Sequence, residues 1–145
     1  MKKLTILAML MFLIMGCTSI PTIQPSQLPN FVSRGATVVM FTKPMCPPCD
    51  TQSAILESLS KEFPTIKFAK VYAFNSMLEP TDAKMVIKYD IKWTPTTVLQ
   101  LKSNGVYVWI TFHGADQIRP ILNAIVEGRV IWTPEGCEII PKKGF

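Results

Sequence analysis

Two cysteines separated by two prolines, Cys46 and Cys49, are the residues of this chain whose types and spacing could do chemistry. An apolar run at 37–41 precedes them and an amphipathic run at 51–63 follows them, which predicts a strand that leads into a helix. Residues i and i+3 of a first helical turn have Cβ atoms about 5–6 Å apart, near enough for a disulfide after small adjustments. The pattern favours a redox-active pair over a structural disulfide or half of a zinc site.

The predicted position at a helix start gives the two cysteines different roles. Unpaired backbone N–H groups and the positive end of the helix dipole stabilise a thiolate there. We therefore expect Cys46 to be the exposed nucleophile of low pKa, and Cys49, one turn later, to be the shielded resolving thiol. A zinc site would need two more ligands, but the sequence has neither a second Cys-x-x-Cys nor a His-x-His.

The rest of the chain predicts the elements that position this pair. Apolar periodicity, proline stops and an Asn104-Gly105 turn signal predict the order β-α-β-α-β-β-α after a first short helix. The predicted strands are 36–42, 66–73, 97–101 and 106–112, and the predicted helices are 30–34, 47–63, 83–89 and 116–126.

From Ala36 to about Glu127 the chain resembles the thioredoxin superfamily. The resemblance is carried by the order of its features: Cys-x-x-Cys at the head of a helix, Thr94-Pro95-Thr96, a glycine-turn hairpin, Gly114-Ala115 and a last amphipathic helix. It implies an α/β thioredoxin fold with a central mixed β-sheet flanked by helices. It also implies that Pro95 is a cis proline that faces the two cysteines, although a proline at a strand start is the simpler alternative.

The resemblance also implies the members of the site. The catalytic residues are Cys46, Cys49 and Pro95, and the substrate-binding residues are Thr94, Met45, Pro47 and His113. For His113 the alternative is a solvated surface residue, which is the commoner role of a lone histidine at a strand end. No cofactor is expected beyond the Cys46–Cys49 disulfide itself, and no metal. The chain departs from thioredoxins proper where it has Met45 in place of a tryptophan, and Met40 in place of a buried acid that assists the resolving cysteine.

The function that this resemblance implies is thiol–disulfide exchange with protein clients, coupled to a protein that donates or accepts electrons. Reductase or isomerase activity is favoured over oxidation, because Pro47-Pro48 lacks the histidine of the most oxidising relatives. One alternative is a binding module whose two cysteines hold a soft metal such as Cu(I). Another is a structural lipoprotein with an inert disulfide.

The N-terminus predicts export. A basic start and an apolar run at 1–16 are typical of a signal peptide, and Leu13 to Cys17 resembles a bacterial lipobox, in which the cysteine is lipidated. The alternative is an ordinary cleaved signal that leaves Cys17 as a spare thiol. Residues 17–30 have three prolines and no charge, which predicts a tether. A thioredoxin-like domain at 31–128 and a tail with a possible hairpin at 129–145 follow. The expected location is the periplasmic side of the cell envelope, with a lipid anchor in the membrane.

Charge and cysteine count add two expectations. Thirteen basic and ten acidic side chains, a net charge of +3, remain once Lys2 and Lys3 are left out. Since no Lys/Arg cluster or basic–aromatic stripe is present, we expect no binding to nucleic acid. Of the four cysteines, Cys137 is left without an obvious partner, and its loop position predicts an accessible thiol that could form a homodimer. The alternatives are a buried, inert thiol and exchange with the Cys46–Cys49 pair.

Overall fold

The structure, a computed structural model, describes residues 19–33, 35–103, 106–112, 117–133 and 136–140. The predicted signal peptide at 1–16, Cys17 and His113 lie outside these ranges, as do the Asn104-Gly105 turn and the Gly114-Ala115 step. In the part of the chain that the structure describes, none of the helices has the length and apolar character of a membrane span.

The order of strands and helices follows the prediction, with boundaries that shift by a few residues. The strands are β1 Thr37–Thr42, β2 Lys67–Tyr72, β3 Thr96–Ser103, β4 Val106–Phe112, β5 Val130–Thr133 and β6 Gly136–Ile139. The helices are α1 Leu28–Val32, α2 Pro47–Glu62, α3 Ala83–Lys88 and α4 Ile118–Val126.

Strands β1 to β4 form one mixed sheet in the order β2-β1-β3-β4. β1 runs parallel to β2 and antiparallel to β3, and β3 runs antiparallel to β4. All six residues of β1 are buried, which fits a central strand covered on both faces.

The two faces of β1 contribute to two separate hydrophobic clusters, because successive side chains of a strand point to opposite sides. Val38 and Met40 pack in one cluster with residues of α2 and α4. Val39 and Phe41 pack in the other with residues of α1 and α3. The sheet is therefore flanked by helices on both sides, as the sequence predicts.

The predicted tether at 17–30 is wrong from Ile20 onward, because this segment packs on the domain. Ile20 is 4% exposed and Leu28 is 3% exposed. At the edge of β2, Lys70 N–H donates to the Pro21 carbonyl at 2.8 Å, and Ile23 N–H donates to the Lys70 carbonyl at 2.9 Å. The edge of β2 offers unpaired backbone groups and the segment offers apolar side chains, and these outweigh its prolines and lack of charge.

The tail forms the predicted hairpin. β5 pairs antiparallel with β6 in a small sheet separate from the main one, and Trp132 lies opposite Cys137 in its register. The turn at 134–135 lies outside the described residues.

Candidate functional site

The two cysteines are joined in a disulfide at the start of α2. Their Cα atoms are 5.2 Å apart, within the usual range of about 4.4–6.8 Å. Cys46 is the residue that caps the helix, and its carbonyl accepts the N–H groups of Cys49 at 2.9 Å and Asp50 at 3.2 Å. β1 ends at Thr42, only four residues before Cys46, so the disulfide lies close to the end of the central strand of the sheet.

Prolines occupy the first two helical positions, Pro47 and Pro48. Their φ suits a helix start, but neither has a backbone N–H. Two of the first-turn N–H groups that were expected to stabilise a Cys46 thiolate are therefore missing. The helix dipole remains as a favourable influence on that thiolate.

The structure corrects the expectation that Cys46 is exposed. Cys46 is 6% exposed and Cys49 is 3% exposed, so both residues of the disulfide are buried and exposure barely distinguishes them. Part of the cover over Cys46 is Thr94, whose Oγ1 lies 3.9 Å from the Cys46 sulfur. The nucleophile and resolving roles of the two cysteines stay predictions.

The Thr94–Pro95 peptide is cis, as the sequence predicts. It lies immediately before β3, and Thr96 Oγ1 donates to the Trp93 carbonyl at 2.8 Å across the turn. The contact between Thr94 and Cys46 brings this loop against the disulfide although the two residues are 48 positions apart. The loop and the cysteine pair therefore form one site.

Two of the predicted substrate-binding residues lie on the surface beside the disulfide. Met45 is 86% exposed, and Pro47 is also exposed. Met45 has a φ of 51°, in the left-handed region that residues with a Cβ seldom adopt. This conformation could not be predicted from the sequence, because its usual signal is a glycine or an asparagine and position 45 has a methionine. His113 lies outside the described residues.

Sequence reasoning missed a polar cavity of about 130 Å³ behind the disulfide. Both cysteines line it, together with Met40 from β1, Ser53 from α2 and Lys70 from β2. Met40 and Lys70 are neighbours across the β1–β2 pair. Lys70 could have indicated this cavity in the sequence, because a lysine between Ala69 and Val71 interrupts a strand that is otherwise apolar at its centre.

Residues of the cis-proline loop, Trp93 and Thr94, line a second cavity, of about 310 Å³. It is lined by the apolar side chains Phe74, Leu78 and Trp93, by Thr94, and by Lys43 and Lys92. In the part of the chain that the structure describes, no group of three His, Cys, Asp or Glu residues could hold a metal ion.

Several solved structures with this arrangement of strands and helices are thioredoxins. Thioredoxin from Trypanosoma brucei brucei has 27% sequence identity and a TM-score of 0.57, over 78% of this chain and 97% of that protein. Chloroplastic thioredoxin z has 25% identity and a TM-score of 0.59, over 76% of this chain and 96% of that protein. Trichomonas vaginalis thioredoxin, at 20% identity and a TM-score of 0.57, covers 73% of this chain and 96% of its own.

The chain has the thioredoxin fold. Together with the Cys46–Cys49 disulfide, these likenesses support the thioredoxin superfamily, and thiol–disulfide oxidoreductase chemistry in general. A comparison with protein-family models finds no match, and a comparison with curated proteins finds none either.

Proposed function

We propose that this protein is a thiol–disulfide oxidoreductase of the cell envelope that reduces or isomerises disulfides of protein clients. The observation that carries the proposal is the Cys46–Cys49 disulfide at the start of α2, with the Thr94–cis-Pro95 loop against it. In this arrangement a client disulfide would meet one sulfur at a helix N-terminus and a peptide loop beside it.

The reaction consists of two thiol–disulfide exchanges. The Cys46 thiolate attacks one sulfur of the client disulfide, and the other client sulfur leaves as a thiolate and takes up a proton. Cys49 then loses its proton and attacks Cys46, which breaks the mixed disulfide and releases the reduced client. The client has gained two electrons and Cys46–Cys49 is oxidised, so a donor protein with two thiols must reduce it again. In isomerisation a thiol of the client, rather than Cys49, attacks the mixed disulfide.

The proposed direction rests on how well the Cys46 thiolate is stabilised. A pair is strongly oxidising when its reduced form is stabilised relative to the disulfide. Here the residues between the cysteines are prolines, which supply neither an imidazole nor a backbone N–H to Cys46. A less stabilised thiolate favours the disulfide form, and therefore reduction of clients.

The proposed client contacts surround Cys46. Met45 and Pro47 are exposed on either side of it and provide an apolar surface. The backbone of Thr94 is proposed to pair with an extended client segment, as a strand edge does. His113 is proposed to border the same face. No cofactor is proposed beyond the disulfide.

The proposed location rests on the N-terminal sequence. The apolar run at 1–16 and the lipobox-like residues before Cys17 support export and lipidation of that cysteine. The protein would then act on the periplasmic side of the envelope, held to the membrane through its N-terminal lipid.

The experiment that tests the function is the redox equilibrium of Cys46–Cys49 against glutathione, combined with turnover of a protein disulfide such as that of insulin. We expect a potential in the range of reductases and isomerases, about −180 to −270 mV. A Cys49→Ala variant should accumulate mixed disulfides with clients, and a Cys46→Ala variant should not.

Other outcomes would point to the alternatives. A potential below about −300 mV with no turnover would indicate an inert structural disulfide. Stoichiometric Cu(I) binding by the reduced pair, again without turnover, would indicate a metal-binding module. Equal rates of alkylation of Cys46 and Cys49 near pH 8 would contradict the prediction that the helix N-terminus selectively stabilises the Cys46 thiolate.

A further inference from the structure

A linked set of polar side chains from α2 and β2, Lys70, Ser53 and Glu57, reaches the cavity behind Cys49 through Lys70 and Ser53. Lys70 Nζ donates to Ser53 Oγ at 3.1 Å, and Ser53 Oγ donates to Glu57 Oε1 at 3.4 Å. Lys70 Nζ also lies 3.8 Å from Glu57 Oε1. Ser53 is buried, whereas the side chains of Lys70 and Glu57 are 22% and 31% exposed. The set therefore connects a buried hydroxyl to groups that reach solvent.

Cys49 shares a helix face with this set. Cys49, Ser53 and Glu57 are four residues apart in succession on α2, and that spacing places side chains one above the other. Cys49, Ser53 and Lys70 line the same cavity of about 130 Å³. A cavity of this size with polar walls can admit water. A polar path thus leads from Cys49 past Ser53 to the carboxylate of Glu57.

The resolving step requires such a path. Cys49 attacks as a thiolate, and burial disfavours the charged form of a thiol. Cys49 is 3% exposed, so its proton has little direct access to bulk water. Of the two cavity residues from β1, Met40 has no group that can accept a proton, and Thr42 has only a hydroxyl, which is a far weaker base than a carboxylate.

We propose that Glu57, through Ser53, accepts the proton of Cys49 during the resolving step, and that Lys70 stabilises the resulting thiolate. This inference rests on the proposed function. The proton moves from the Cys49 thiol through the Ser53 hydroxyl and cavity water to Glu57. The Cys49 thiolate then bonds to the Cys46 sulfur as the Cys46–client bond breaks, and the client sulfur leaves with the electron pair and takes up a proton. The three residues act through Cys49 and are positioning residues.

Other titratable groups line the same cavity, and their effects must be distinguished from those of Ser53, Glu57 and Lys70. They are Lys43 from the loop after β1, Asp50 from the first turn of α2, and Tyr72 from β2. Lys43 lies three residues before Cys46, and Asp50, which directly follows Cys49, donates its N–H to the Cys46 carbonyl at 3.2 Å. Changes to Lys43 or Asp50 should therefore affect the attack by Cys46, whereas changes to Ser53, Glu57 or Lys70 should affect only the attack by Cys49.

The test separates the two attacks by rapid mixing. The full-length chain in detergent, with Cys17 and Cys137 replaced by serine, is reduced and mixed with an equimolar aromatic disulfide, DTNB. The first thionitrobenzoate leaves when Cys46 attacks, and the second leaves when Cys49 displaces it. Both rates are measured from pH 5 to pH 9 in the starting protein and in Glu57→Gln, Glu57→Asp, Ser53→Ala and Lys70→Met. Glu62→Gln is the matched control, because Glu62 is on the same helix and pairs with Arg119 at 2.9 Å.

Only the second release should change. In Glu57→Gln it should slow by about tenfold at pH 7, less than the ~10²–10⁴-fold of a base in direct contact. In Lys70→Met its pH profile should move up by about one unit, which is tenfold in rate below the midpoint. Ser53→Ala should resemble Glu57→Gln, Glu57→Asp should recover part of the rate, and Glu62→Gln should match the starting protein.

The sign of the Glu57→Gln effect decides between two roles. If Glu57 acted only as a nearby negative charge, its removal would favour the thiolate and speed the second release. A faster or unchanged second release in that variant overturns the proposal. A starting protein that never gives a second release instead contradicts the proposed function.

Discussion

At the scale of single residues, Tyr89 shows how burial changes the chemistry of a side chain away from the site. Its hydroxyl donates to Gln100 Oε1 at 2.9 Å, and its ring centroid lies 5.2 Å from that of Phe41. Tyr89 is 3% exposed, and burial raises the pKa of its hydroxyl above the ordinary value, because a phenolate would lose its hydration.

Replacing Tyr89 by phenylalanine should change how stability depends on pH. Below about pH 10, the ordinary pKa of tyrosine, the phenol is neutral in both states, and the variant should be less stable by about 1 kcal/mol because Gln100 loses a donor. Above that pH the unfolded wild type releases the Tyr89 proton while the folded protein retains it, so the wild type loses stability that the variant keeps.

Urea unfolding of both proteins at pH 8 and pH 10.5 measures this effect. The difference in free energy of unfolding should shrink at the higher pH. Tyrosines other than Tyr89 are common to both proteins and cancel in the comparison. A difference that is the same at both pH values would show that Tyr89 ionises as readily in the folded protein as in the unfolded chain.

At the scale of elements, the segment that begins at Ile20 behaves as part of the sheet rather than as a spacer. Its backbone pairs with Lys70 on both sides of Thr22, and Ile20 joins the hydrophobic cluster that contains Met40. Thr22 also lines the cavity behind the disulfide. Docking of this segment therefore covers the edge of β2 and completes a wall of the site.

Ile20→Ala should lower the free energy of unfolding by about 2–4 kcal/mol, as for other buried isoleucines. Ser19→Ala, one residue earlier and exposed, is the control and should change stability by less than about 0.5 kcal/mol. Urea unfolding gives both values, and hydrogen exchange at the Lys70 amide reports the docking directly. An Ile20→Ala protein as stable as the control would mean that the segment is a free tether after all.

At the scale of the whole molecule, the docked segment limits how far the domain can stand from an anchor at Cys17. Only three residue steps separate Cys17 from the buried Ile20, a span of at most about 11 Å when fully extended. A lipid on Cys17 would therefore hold the domain close to the membrane surface. The protein would then meet its clients and its electron donor only close to the membrane surface.

Cys17→Ser should release the protein from the membrane fraction or leave it unprocessed, because the lipid is the proposed anchor. Cys137→Ser is the matched control and should remain membrane-bound. Cell fractionation and the mass of the mature N-terminus measure both. A wild type that is found in the soluble fraction, with no acyl mass, would show that the lipobox interpretation is wrong.

The order of the elements and the place of the cysteine pair were determined by the sequence alone, because they depend on local chemistry. Apolar periodicity, the proline after Phe63 and the prolines at the start of α2 act over a few residues, and they predicted the helices and strands to within a few positions. The cis bond at Pro95 followed from the resemblance to thioredoxins, where the spacing of motifs is itself informative.

Contacts between distant parts of the chain were decided only by the tertiary structure. The cover of Thr94 over Cys46, the docking of Ile20 at the edge of β2, and the meeting of Lys70 with Ser53 all depend on which strands pair and in which register. The β1–β2 register places Lys70 beside Met40, and a slip of one residue would turn its side chain to the opposite face. Composition and periodicity do not encode that register, because burial over the whole sheet selects it.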